Sequence, residues 1–151
     1  LAHASYSEDL FHFFTLGIAM SQLFAAVYEV ASATIGRPSL RLNLVVNREN
    51  ASVVGTATLG TVTGEVHEMP VRGQHMQIDG EEPLDAIVLA GTPPVFSVLD
   101  DEPASFQMLM VLPSAWKEGQ ACYKMTLGKL FPRVIDVRDG KVRAVLPEAV
   151  Y

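Results

Sequence analysis

The sequence contains a single cysteine, Cys122, and so has no internal disulfide framework. That absence fits a reducing compartment and points to the cytoplasm. No Lys or Arg precedes Arg37, so the apolar run "FFTLGIAMSQLFAAVYEV" lacks the flanking positive charge of a membrane anchor or signal peptide. The triplet "ASA" at positions 31–33 has the form of a cleavage site, but Glu8-Asp9 stands where a basic leader region belongs. No contiguous basic run exists, and the net charge is −6. Nucleic acid is thereby disfavoured as a partner, because phosphate neutralisation needs clustered cations.

No crossover-length segment, internal repeat or low-complexity linker interrupts the chain, and 151 residues suffice for one sizeable core. The charge it does carry is unevenly placed. Nine acidic residues and one basic residue, Arg72, lie between Glu65 and Glu102; from Lys117 onward there are seven basic and four acidic. Such a dipole can steer a charged partner, but with no contiguous basic run, solvated loops are the simpler account of it.

The opening apolar run divides near Met20. Before it, Ser5 followed by Glu8 has the spacing of a capping box. Leu10, Phe14 and Ile18 follow at helical intervals. This predicts an apolar N-terminal helix over residues 1–19, an extension expected to be foreign to the domain, with self-association through Leu10, Phe14 and Ile18 as one use for it. From Leu23 the period changes to two: Phe24, Ala26, Tyr28 and Val30 alternate against Ala25, Val27, Glu29 and Ala31. The domain proper is therefore expected at 20–151.

The remainder reads as short strands. "SLRLNLVVN" places Leu40, Leu42, Leu44 and Val46 on one face. "ASVVGTATLGTVTG" is β-branched, with Gly55 and Gly60 signalling a bulge or a close backbone approach. In "EVHEMPVRGQHMQI", Pro70 and Gly73 predict a break between two short strands. "DAIVLAG", "VFSVL", "SFQMLMVLP" and "ACYKMTL" follow. In "RVIDVRDGKVRAVL", Asp139-Gly140 carries the signature of a tight hairpin turn. Eight or nine strands with short connections predict an all-β antiparallel meander closing into a barrel, with a two-sheet β-sandwich as the alternative.

The segment "SQLFAAVYEVASATIGRPSLRLNLVVNRENASVVGTATLG" resembles the opening of a bacterial family, the domain of unknown function 1842. The likeness runs from Leu23 to about Gly60, with an echo in "EMPVRG". It implies a bacterial source and a β-rich domain, and carries no activity, cofactor or site residue with it.

The chemistry-bearing residues form no recognised constellation. His67 and His75 lie eight apart and share a strand face only if the strand is unbroken, so the expected break argues against a shared zinc ion. Glu65 and Glu68 differ by three and face opposite ways on a regular strand, which weakens an acid/base pair. "DGEEPLD" and "LDDEP" are acidic turns without calcium-loop spacing. "TLGTVTGEV" lacks the Lys and the strand-to-helix context of a phosphate loop. No Gly-x-Ser-x-Gly elbow occurs. Cys122, in an alternating segment, reads as a small core or near-surface thiol with no sequence-local activator. Met69, Met76, Met108, Met110, Met125 and Trp116 read first as core filler, and second as the adaptable lining of an apolar ligand cavity. No catalytic, cofactor-binding or metal-ligating set is assigned. A non-enzymatic ligand- or protein-binding module is the leading expectation, and an enzyme using His67 or His75 as general base within a barrel cavity is the alternative.

Overall fold

Eight antiparallel strands close into a barrel in which each strand pairs with its sequence neighbours and the last pairs with the first. The structure, a computed structural model, describes residues 23–91, 103–113 and 116–145. The strands are β1 (Leu23–Ser32), β2 (Ser39–Asn47), β3 (Ser52–Gly60), β4 (Val66–Ile78), β5 (Leu84–Gly91), β6 (Pro103–Pro113), β7 (Glu118–Leu127) and β8 (Arg133–Ala144). Closure removes the unpaired edges that an open sheet or sandwich would present. The predicted helix, with Leu10, Phe14 and Ile18, lies outside the described residues, as do "VFSVL" and most of "LDDEP". Among the described residues no helix is long and apolar enough to cross a membrane.

Strand alternation builds the interior. On β1, Tyr28 and Val30 point inward; on β2, Leu40, Leu42, Leu44 and Val46 do so, and all six are at most 2% exposed. They meet Val53, Ala57 and Leu59 of β3, Met69 and Val71 of β4, Ile87 and Leu89 of β5, and Phe106, Met108 and Met110 of β6 in one contiguous core. The outward positions carry charge, including Arg41, Glu68, Arg72, Lys124 and Lys141. This is the reverse of the apolar-out, polar-in alternation of a membrane-spanning barrel.

Two expectations are corrected. Residues 66–78 form one 13-residue strand rather than two. Pro70 sits within this strand, opposite Thr56 of β3 and next to Val71, which faces Gly91 of β5. Gly73 marks a close approach rather than a break: a Cβ there would overlap the Val88 carbonyl of β5. Gly55 is the same device on β3, where a Cβ would overlap the Asn43 carbonyl of β2. Inward-facing glycines of this kind let a strongly coiled sheet curl shut.

Asp139-Gly140 is likewise no hairpin turn. β8 runs straight through it, and the register against β7 slips between Ala121 and Tyr123. Arg138 and Asp139 therefore stand opposite Cys122 as a bulge. The inward residues show the slip directly: Ile135 and Val137 precede it at odd positions, and Gly140 and Val142 follow at even ones. Freed from the ladder, the Asp139 carboxylate accepts hydrogen bonds from Ser32 Oγ (2.8 Å) and Thr34 Oγ1 (3.3 Å), tying β8 to the β1–β2 connection. The Ser32 hydroxyl, foremost, holds the Asp139 carboxyl below the usual carboxylate range.

Candidate functional site

The two histidines lie on the same inward face of β4, because the strand is unbroken. Eight residues of strand separate them, roughly 26 Å at 3.3 Å per residue, so they stand at opposite ends of the barrel and cannot share an ion. Among the described residues no cluster of His, Cys, Asp or Glu could hold a metal.

His67 belongs to the end that holds the β1–β2, β3–β4 and β7–β8 connections. It is buried, and its Nε2 lies 3.3 Å from Glu65 Oε2, which also accepts from Arg133 Nη2 at 2.9 Å. The Arg133 bond first, then that of His67, lowers the Glu65 carboxyl from its ordinary value. Glu65 thus clamps β4 to β8 across the barrel mouth. Glu68 points outward, so the two glutamates do not converge. The turn in "TLGTVTGEV" is structural, closed by Thr61 N donating to Glu65 O, with Gly64 at φ +89°. Cys122 is exposed on the outer face of β7, opposite the bulge.

The end holding the β2–β3, β4–β5 and β6–β7 connections is built differently. Here the inward face of β4 leaves the core through Met69 and Val71 and turns polar, with His75 and then Gln77. Asp85 does the same on β5, below Ile87 and Leu89. The register pairs Gln77 with Asp85 and His75 with Ile87, so these polar groups form a layer over the apolar interior. Arg48, Ala51, His75, Met76, Gln77, Asp85 and Trp116 line a cleft of about 480 Å³.

Trp116 organises this cleft. Its Nε1–H donates to Asp85 Oδ2 at 2.6 Å, and its carbonyl accepts from the Tyr28 hydroxyl at 3.1 Å. Its amide donates to Pro113 O at 2.9 Å. The indole meets Phe24 edge-to-face at 5.1 Å and His75 at 5.8 Å, both within the favourable range for aromatic pairs. Arg48 lies over the other partner, 4.7 Å from the Phe24 centroid. Burial, followed by the Asp85 charge, pushes the Tyr28 hydroxyl up to about 12.

Two of the seven lining residues hold left-handed backbone conformations without being glycine: Ala51 at φ 60° and Trp116 at φ 56°. These are the only such residues in the described chain. Each costs on the order of 1–2 kcal/mol relative to ordinary backbone. Ala51 is held there by its carbonyl, which accepts from the His75 amide at 2.9 Å. His75 in turn approaches the Asn47 carbonyl with Nε2 at 3.3 Å. A carbonyl can only accept, so in the neutral imidazole Nε2 carries the proton and Nδ1 keeps a lone pair. Nδ1 is buried and has no hydrogen-bond partner among the described residues.

His75 is among the sequence candidates, whereas Asp85 falls in the acidic turn "DGEEPLD" and Arg48 belongs to no candidate set. The signal for Asp85 was a charged residue on the apolar face of an alternating strand, in step with Ile87 and Leu89. Met69, Met108, Met110 and Met125 are core, as expected, while Met76 is exposed beside the cleft and Trp116 sits at its edge. A second concavity of about 560 Å³ lies on the outer face of β3–β5, lined chiefly by Val54, Arg72, Gly73, Gln74, Val88 and Ala90.

No curated protein matches this sequence. A family model does match, over residues 21–129, well beyond the Leu23–Gly60 segment that carries the resemblance. It runs from the first strand to the end of β7, and the chain accordingly belongs to the family described as domain of unknown function DUF1842.

Proposed function

We propose that this domain is a small-molecule binding module whose site is the Trp116 cleft. The apolar barrel is the rigid support, and the polar layer of His75, Gln77 and Asp85 with Arg48 is the recognition surface. The observation that carries the reading is the pairing of Ala51 and Trp116, both strained, at one concavity. Strain of that kind persists where the surroundings enforce it, and it gathers at ligand sites. The cleft volume lies in the range of small-ligand pockets. The buried interior, filled by side chains from Tyr28 to Met125, argues for binding at the mouth rather than inside the barrel.

Thermal melting of the full chain against a library of small metabolites tests this. Compounds that bind the cleft raise the melting temperature in proportion to occupancy, and R48Q removes the effect. A library that leaves the melt unmoved contradicts the reading.

A further inference from the structure

The cleft's charged groups narrow its ligand, an inference that rests on the binding reading above. Arg48 stacks on Phe24 and makes no ion pair among the described residues. Its guanidinium edge therefore has its donors available in a fork that suits a carboxylate. Asp85 gives one oxygen, Oδ2, to Trp116 Nε1–H, and no described residue donates to Oδ1. Gln77 adds a side-chain amide to the same lining. One cleft thus presents one cationic side chain, one carboxylate and a neutral amide.

A simple anion placed on Arg48 would share the cleft with the like charge of Asp85. A simple cation on Asp85 would meet Arg48. A molecule carrying both charges satisfies each side chain and leaves neither facing its own sign. We propose that the cleft takes a small zwitterion bearing a carboxylate and a protonated amine, the chemistry of a free amino acid. The carboxylate lies on the Arg48 fork, the ammonium donates to Asp85 Oδ1, and the remaining side chain lies against Trp116 and Met76. The indole and the thioether offer a polarizable, adaptable surface there, which favours apolar amino acids over acidic ones.

The sequence has one tryptophan, so its indole N–H is a single resolvable proton resonance, and that proton is the one bonded to Asp85. The test titrates the full chain with free amino acids, with propionate, with ethylamine and with glycerol, following that resonance. Calorimetry supplies dissociation constants. At least one apolar amino acid is expected to shift the resonance saturably. Propionate, ethylamine and glycerol are expected to bind at least tenfold more weakly. R48Q and D85N are each expected to weaken the amino acid at least tenfold; D85N keeps an oxygen for the indole, and a single cooperative melt verifies the fold. Binding undiminished in either variant, or monofunctional compounds binding as well as the zwitterion, overturns the proposal. If no amino acid binds while other library compounds shift the resonance, the ligand class is wrong and the binding site stands. If nothing shifts it, both fall.

Discussion

Trp116 Nε1 and Asp85 Oδ2 meet at 2.6 Å across the barrel mouth, joining the β6–β7 connection to the start of β5. A bond to a carboxylate is worth about 1.5–3 kcal/mol net when half-buried. D85A, which strands the indole N–H, is expected to destabilise the domain by about that amount, with D85N losing less than half as much. Urea unfolding followed by Trp116 fluorescence measures both.

Ala51 supplies the opposite case. Its φ of 60° is left-handed and unfavourable for a residue with a Cβ. A51G removes that cost while adding some freedom to the unfolded chain. A net gain of up to about 1 kcal/mol is expected, or roughly 2–4 °C in Tm for a domain of this size. A calorimetric scan showing a lower Tm would mean the strain at Ala51 is not real.

Gly140 and Gly64 separate two roles of glycine. At Gly140 a Cβ would come within 2.7 Å of Val30 Cγ1 and 2.8 Å of the Ala121 carbonyl. G140A forces a core side chain and a neighbouring strand apart, a cost of about 1–3 kcal/mol. At Gly64 the space is open and only the positive φ resists. G64A is expected to cost about 1 kcal/mol. Because the first depends on packing, V30A is expected to relieve G140A and to leave G64A unaffected. A double-mutant cycle decides.

Tyr28 and Tyr123 are both buried, and burial raises each hydroxyl from 10.0 to about 12. Above pH 10 the unfolded chain releases these protons while the folded chain retains them. The unfolded state then binds fewer protons, so stability falls as pH rises from about 10 to 12 and is complete below that window. Each tyrosine accounts for roughly 2–3 kcal/mol of the loss. Of four tyrosines in the sequence, these two should titrate late in ultraviolet absorbance, coincident with unfolding. Y28F and Y123F should each soften the alkaline transition.

The barrel was legible where side-chain alternation alone decides structure. On β2 the alternation of Leu40, Leu42, Leu44 and Val46 with polar residues needed no tertiary information. It failed where a local signal depended on what the neighbouring strand does. Pro70 reads as a breaker until its place opposite Thr56 in the β3–β4 ladder is seen. Asp139-Gly140 reads as a hairpin turn until the bulge against β7 explains the glycine. The cleft was hidden for the same reason. Arg48, Asp85 and Trp116 are 37 and 31 residues apart in successive steps; the meander puts their connections at one end, and closure curls that end into the barrel mouth. His75 alone carried a readable hint, and its meaning depended on the continuity of β4.

The central claim is that ligands bind at the end of the barrel marked by Trp116, not at the His67 end or on the outer face. Backbone amide NMR of the uniformly labelled full chain, with any compound that raises the melting temperature, locates the site directly. Shifts are expected to concentrate at residues 47–52, 75–78, 84–86 and 116–118, with Thr61, His67 and Arg133 unmoved. Shifts concentrated instead around His67 and Glu65, or over Val54, Gln74 and Val88 on the outer face, would contradict the account.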